Sequence, residues 1–319
     1  MPTKRSPRYG SLQFWPRKRA NKFLPSVNWD AISSGKNFKG FICYKAGMKS
    51  ALVKDSTPNS MSKGKEISIP VTILECPPIK IMSIRFYKDG IVKEEILSEN
   101  LDKELKRKIK FQKAKHGKKP EDVKDYDDIK VIAYSLVKRT NLKKTPDLCE
   151  IGLANNLSLE DKLKLVKENL NKEIFVADVF EKNQLVDIRG LTKGKGLQGP
   201  VKRFGISLKS HKSEKGRRRP GSLGPWHPAY VTFRTPQAGQ LGMFTRVIYN
   251  NKIISLGKIE AGKFENEFKG IKNFGDIKTD HMIVAGSVQG TAKRQLLATA
   301  PLRKTKKQEK KSFELLEIR

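Results

Sequence analysis

Three stretches of this chain carry cations with almost no acids beside them, and that arrangement limits which residues can enter a core. Residues 1–29 hold seven Lys and Arg and no acid, residues 189–228 hold eleven against the single Glu214, and residues 293–311 hold eight against Glu309. These segments supply 24 of the 33 excess positive charges of the 319-residue chain. A buried charge without a partner is strongly destabilising, so the three segments are expected to extend from a folded body. By contrast, residues 99–170 mix eighteen cations with thirteen acids, the pattern of an ordinary solvated surface. A net charge of +33 on one chain repels itself, which points to a polyanionic partner, with nucleic acid first and a membrane surface as the rival. No run approaches eighteen apolar residues and no apolar stretch follows the basic start, so no transmembrane or secretory segment is expected.

The body reads as mainly β. Short runs rich in Ile, Val and aromatic residues fall at 41–48, 67–75, 79–87 and 128–137, then at 173–180, 184–190, 229–233, 245–257 and 281–288. With Gly, Pro and Asn between them, they suggest a barrel or sandwich. Helical signals concentrate in the middle. Ser98 is placed to cap a segment carrying Leu101, Leu105 and Ile109, and Ser158 with Asp161 resembles a capping box ahead of Leu159, Leu163, Val166 and Leu170. An α-containing insertion within an all-β body is therefore expected.

Two basic segments also carry rings. The arm KRSPRYGSLQFWPRKRANKFLP interleaves its cations with Tyr9, Phe14, Trp15 and Phe23, and its Pro and Gly disfavour helix and strand. In KSEKGRRRPGSLGPWHPAYV a cationic loop leads to Trp226, held between Pro225 and the His227–Pro228 pair. Guanidinium and aromatic planes stack on unpaired bases while cations neutralise phosphates, a combination that suits irregular RNA. Prolines stiffen the chain where the Trp must be held at a set place.

Motifs for chemistry are weak. GKGLQG (Gly194, Gly196, Gly199) fits the dinucleotide fingerprint, but Pro200 and the basic VKRFG replace the expected amphipathic helix and no ribose-binding acid follows on a second strand. These glycines read instead as places where backbone approaches a phosphodiester chain. His116, His211, His227 and His281 lack ligand-spaced partners, and Cys43, Cys76 and Cys149 are scattered, so no metal site, disulfide framework or cofactor is expected. No nucleophile elbow, Walker loop or carboxylate dyad stands out, so the chain is not read as an enzyme.

The segments PRYGSLQFWPRKR, FICYKAGM, PVTILECPP, VIAYSLV, DIRGLTKGKGLQGPVKRFG, GPWHPAYV, AGQLGMFTRV and GSVQGTAKR, in this order, resemble the L-three family of large-subunit ribosomal proteins in its archaeal and eukaryotic branch. The resemblance covers nearly the whole chain. An archaeal source is expected because the long C-terminal extension of eukaryotic members is absent. The resemblance implies a mainly β fold: a translation-protein-type β-barrel with an inserted α/β region and long basic extensions. It divides the chain into a basic N-terminal extension (1–40), barrel segments (41–97, 173–200, 229–292), an inserted α/β region (98–172), a basic finger ending in the Trp (201–228) and a basic C-terminal segment (293–319). It also implies a structural role in the large subunit: binding its rRNA, supporting early assembly, touching neighbouring large-subunit ribosomal proteins, and bringing Trp226 near the peptidyl-transferase centre and the aminoacyl-tRNA path. No membrane partner is implied. Eukaryotic members carry a modified His in the finger where this chain has Glu214.

The expected RNA-binding residues are Lys4, Arg5, Arg8, Trp15, Arg17, Lys18 and Arg19 in the arm. Lys193, Lys195, Lys202, Arg203, Lys209, Lys212, Lys215, Arg217, Arg218, Arg219, Trp226 and His227 follow in and before the finger, with Lys293 and Arg294 near the C-terminus. Two other classes fit the charge: a DNA-compacting protein, which should bind duplex DNA as well as structured RNA, and an RNA-modifying enzyme, which should show turnover.

Overall fold

The computed structural model describes residues 12–110, 120–213, 215–259 and 266–319. The chain forms two compact units, one of residues 23–190 and 247–319, the other of residues up to 22 together with 191–246.

The larger sheet begins with β1 (Gly40–Asp55) and β2 (Glu66–Cys76), and the next four strands, β3 (Ile79–Lys88), β4 (Ile91–Leu97), β5 (Asp128–Ser135) and β6 (Leu148–Gly152), form a sheet of their own. Then come β7 (Leu185–Leu191), the short pair β8 (Leu197–Gln198) and β9 (Gly239–Gln240), β10 (Thr245–Gly257), β11 (Asp280–Ala285), β12 (Gln295–Thr299) and β13 (Phe313–Ile318). The larger sheet runs β12-β7-β10-β11-β2-β1-β13, and β12 also pairs with β1. Six strands therefore close on themselves as a barrel, which leaves them no open edge. β1 makes this possible by its length. Its first half pairs with β12 (Gly40↔Thr299 to Tyr44↔Gln295), its second half with β13, and a register shift at Lys45/Gly47 bends it against β2.

Alternation then decides what fills the barrel. Cys43 lies opposite Leu296, Leu74 opposite Met282 and Ala298 opposite Ile188, and all six are buried in one cluster. Lys45 is also buried, and its Nζ donates to the carbonyls of Val288 (2.5 Å) and Gly290 (3.3 Å).

The smaller sheet has the order β4-β3-β5-β6. Helix α1 (Leu159–Asn169) begins as the capping pattern predicts, with Ser158 Oγ accepting from the Asp161 amide at 3.1 Å, and it buries Val166. Lys162 donates to Asp128 Oδ1 at 2.7 Å. The barrel joins this sheet through Tyr44, whose buried hydroxyl bonds Asp147 Oδ2 (2.6 Å) and Ser135 Oγ (2.8 Å). Burial raises that phenol well above its ordinary range.

Several expectations need correction. The strands of 79–97, grouped above with the barrel, pair with each other and, through β3, with β5 instead, so the smaller sheet begins ahead of residue 98. The helix expected after Ser98 is a single 3-10 turn at Lys103–Arg107, because the Ser98 hydroxyl bonds Asn171 (3.2 Å) and caps nothing there. The run 173–180 is not a strand beyond one bridge (Ile174↔Ile79). Asp178 accepts from the Phe175 amide at 2.8 Å and turns the chain into the short helix α2 (Val176–Val179). Residues 229–233 form no strand. The C-terminal segment, read as a basic extension, contributes β12 and β13 to the larger sheet: Leu296, Leu297 and Ala298 are buried despite the cations on either side.

Candidate nucleic-acid interface

The second unit is organised around one short helix. Pro200 opens α3 (Pro200–Phe204) at its first turn, and Gly205, in the left-handed conformation at φ 67°, ends it. Phe204 is buried. Trp15 stacks on it with centroids 6.1 Å apart, and Phe233 meets Trp15 edge-on at 5.4 Å. Arg17 lies over Phe204 at 4.2 Å and donates to the Arg203 carbonyl at 2.9 Å. Arg203 is spent internally too, donating to the carbonyls of Gln240 and Gln237 at 3.1 Å each, and burial lowers its guanidinium below the usual range.

Residues 192–198 and 239–244 are laced together beside this cluster. Lys195 donates its amide to the Leu241 carbonyl and Leu241 donates to Gly196, both at 2.9 Å, while β8 pairs with β9. Gly242 is required there: at φ 77°, a Cβ would collide with the Lys193 carbonyl. The glycines of GKGLQG answer differently from one another. Gly194 faces Met243, where a Cβ would sit 3.0 Å from Cγ, whereas Gly196 and Gly199 open onto free space.

From this root the chain leaves as a finger. Within it the Lys209 amide donates to the Arg217 carbonyl (3.1 Å) and Arg217 Nε to the Lys209 carbonyl (3.3 Å). Lys193, Lys195, Lys202, Lys209, Lys212, Lys215, Arg218 and Arg219 are exposed, and among the described residues none has an acidic partner. All of residues 221–231 are exposed, Trp226 to 86 % and Tyr230 to 71 %. His227 is exposed beside the Trp.

The residues singled out from sequence therefore fall into groups. Lys18 and Arg19 are exposed like the finger cations, but Trp15, Arg17 and Arg203 build the root that holds the finger. Lys293 and Arg294 belong to the other unit, at the turn before β12, where the Lys293 amide donates to the Lys45 carbonyl (2.8 Å) and Arg294 covers Phe23 at 5.3 Å. Lys4, Arg5 and Arg8 lie outside the described residues, as does Glu214. Tyr230 and Phe233, not singled out from sequence, are exposed as well. Their signal was present in the run AYVTF, which its β-propensity disguised as a strand. Arg246 over Phe14 at 4.4 Å was missed as well.

Among the described residues no group of three His, Cys, Asp or Glu is placed to hold a metal ion. Also among them, no helix is long and apolar enough to cross a membrane.

Comparison with known proteins agrees over the whole length. The family model described as Ribosomal protein L3 matches residues 1–318. The large ribosomal subunit protein uL3 of Methanocaldococcus jannaschii is 38 % identical over 309 residues, covering 93 % of this chain and 91 % of the relative. That of Picrophilus torridus is 36 % identical over 313 residues (96 % and 94 %), and that of Methanobrevibacter smithii 38 % over 316 (95 % and 94 %). With a full-length family match and relatives covered almost end to end, the chain belongs to the ribosomal protein L3 family.

Proposed function

We propose that this chain is a structural constituent of the large ribosomal subunit that grips ribosomal RNA with its basic unit. The observation that carries this reading is Trp226, 86 % exposed on a proline-stiffened finger whose neighbouring lysines and arginines have no acidic partner among the described residues. A free chain gains nothing from holding a Trp in water. RNA supplies both a phosphate for each cation and a base plane for the ring. The finer reading follows the family: the finger reaches toward the peptidyl-transferase centre and the aminoacyl-tRNA path, the protein enters the subunit early, and RNA performs the chemistry that the protein shapes. Neighbouring large-subunit proteins are further partners, and the ribosome of the cytoplasm is the place of action.

Sedimentation of the endogenous protein tests this directly. Stoichiometric presence in large subunits is expected, and quantitative recovery with chromosomal DNA, or free of both, would overturn the reading. On purified protein, RNA affinity should fall by about 0.7–0.9 log unit per neutralised phosphate for each tenfold rise in salt. A nearly flat response would remove phosphate contact as the source of affinity.

A further inference from the structure

The balanced charge of residues 99–170 conceals a segregated surface. Four of the thirteen acids there are held by named partners: Asp128 by Lys162 (2.7 Å), Glu150 by Arg85 (3.0 Å), Asp102 by the Tyr134 hydroxyl (2.6 Å), and Asp147 by Tyr44 and Lys143. Five cations, Lys103, Arg107, Lys138, Lys143 and Lys144, line an open groove of about 710 Å³ against the single acid Glu104. Glu104 is itself 3.3 Å from Lys138. Among the described residues, Lys103, Arg107 and Lys144 have no acidic partner, and Arg107 donates to the Lys144 carbonyl at 3.5 Å, which keeps two of the three side by side.

The walls are held in place. Leu105, fully buried against Met82, Tyr134 and Leu136, pins the turn that carries Lys103 and Arg107. On the other side Val137 is buried, Thr140 Oγ1 donates to the Val137 carbonyl at 2.7 Å, and Asn141 closes the turn at φ 58°. With its amide turned so that the oxygen accepts, Asn141 also meets Lys278 Nζ at 2.7 Å, which adds a sixth cation at the rim. Pinned cations lose little freedom when a ligand arrives.

We infer that this groove binds the phosphodiester backbone of double-helical RNA, as a second RNA anchor separate from the finger. The inference rests on the RNA reading proposed above. The choice of duplex follows from what lines the groove: five cations and no aromatic ring, with Leu142 its one apolar side chain. A single strand would leave bases to be stacked, as the rings of the finger allow; here only a row of phosphates with its bases turned inward matches the surface.

The test uses the full chain, a blunt mixed-sequence RNA duplex and an unstructured RNA strand, with affinities measured across a salt series. The variant Lys103→Gln/Arg107→Gln/Lys144→Gln should bind duplex roughly 10- to 100-fold more weakly and flatten its salt slope by about 2–3, with single-strand binding little changed. Lys103→Arg/Lys144→Arg keeps the charge and should bind duplex like wild type, and near-ultraviolet circular dichroism confirms that each variant is folded. If the Gln variant fails to fold, the single substitutions Lys103→Gln and Lys144→Gln are read instead, each with about one third of the slope change. Unchanged duplex binding in the folded Gln variants, while Arg217→Gln/Arg218→Gln/Arg219→Gln weakens single-strand binding, overturns the groove and leaves the proposed function standing. If neither set alters binding to either RNA, both fall. Binding of an acidic polyglutamate peptide that depends on these three residues, with duplex binding independent of them, would assign the groove to a protein partner and overturn the inference.

Discussion

Arg17 lies 4.2 Å over the ring of Phe204 and donates from Nη1 to the carbonyl of Arg203 at 2.9 Å, so one guanidinium ties the N-terminal arm to the root of the finger. A cation–π contact of this kind contributes about 0.5–2 kcal/mol, and the hydrogen bond about 1 kcal/mol more. Arg17→Ala should therefore loosen the basic unit by roughly 1–3 kcal/mol. Hydrogen exchange reads it: amides at 192–204 and 239–244 should exchange faster, while those of β1, β2 and β11 should not. Arg17→Lys should recover less than half the effect, since an ammonium lacks the flat face and the fork. Equal acceleration everywhere would show that the residue supports the whole molecule.

The arm separates from the barrel at a definite place. Residues up to 22 cluster with the basic unit, whereas Leu24 and Val27 pack on the barrel core and Trp29 is buried in it. Deleting residues 1–22 should preserve the barrel's cooperative melting transition and its near-ultraviolet circular dichroism. The same deletion should expose Phe204, by removing Trp15 and Arg17, and should impair incorporation into large subunits. Cutting at residue 29 instead should lower the melting temperature sharply, because Trp29 goes with the arm.

Legibility in the sequence followed the range of the interactions. The capping pattern of Ser158 and Asp161 is local, and α1 starts where it says. The isolation of Trp226 was also readable, because prolines and cations declare themselves without partners. What stayed hidden needed a distant strand. β12 sits among cations, and only its pairing with both β1 and β7 explains why Leu296 to Ala298 are buried. Trp15 and Arg17 looked like RNA contacts for a similar reason: nothing nearby in sequence reveals that Phe204 receives them. The groove of the insertion was invisible because charge counting cannot say which acids are already taken.

The pair Glu75 and His281, opposite each other on β2 and β11, gives the barrel a pH dependence. His281 is buried against Phe268 (4.8 Å), and loss of solvent lowers its imidazole from 6.5 to about 4. The unfolded chain therefore takes up a proton near pH 6.5 that the folded chain refuses until about pH 4. This contribution is fully present above that window and is lost as pH falls through it, by roughly 3 kcal/mol in all. Burial pushes the Glu75 carboxyl up, which acts in the opposite sense, with the amides of Lys278 (2.8 Å) and Thr279 (3.3 Å) limiting the shift. Urea melts from pH 4 to 7 should show stability rising with pH, and His281→Gln should flatten the rise. An unchanged slope in the variant would assign the dependence to other groups.

Two tryptophans of the same chain should respond oppositely to the same substitution. Trp29 is 2 % exposed and lies across Gly152 and Gly40, where an added Cβ would stand 2.6 and 2.7 Å from the indole. Trp226 is 86 % exposed. Trp29→Ala opens a cavity and should lower stability by about 3–5 kcal/mol, and Gly152→Ala should be harmful too, because the ring has no room to give. Trp226→Ala removes almost no protein contact, so the isolated mutant should melt like wild type. Under the proposed function its effect is expected in the assembled subunit: loss of a stacking contact of about 1–3 kcal/mol should slow aminoacyl-tRNA accommodation or peptidyl transfer while subunits still form. Arg217→Gln/Arg218→Gln/Arg219→Gln should act earlier, weakening the seating of the entire finger and reducing subunit yield. The measurements are paired, melting temperature on purified protein and single-turnover rates on mutant ribosomes. A large loss of melting temperature for Trp226→Ala with unaltered rates would make that ring a packing residue, and the finger would then have to find another purpose.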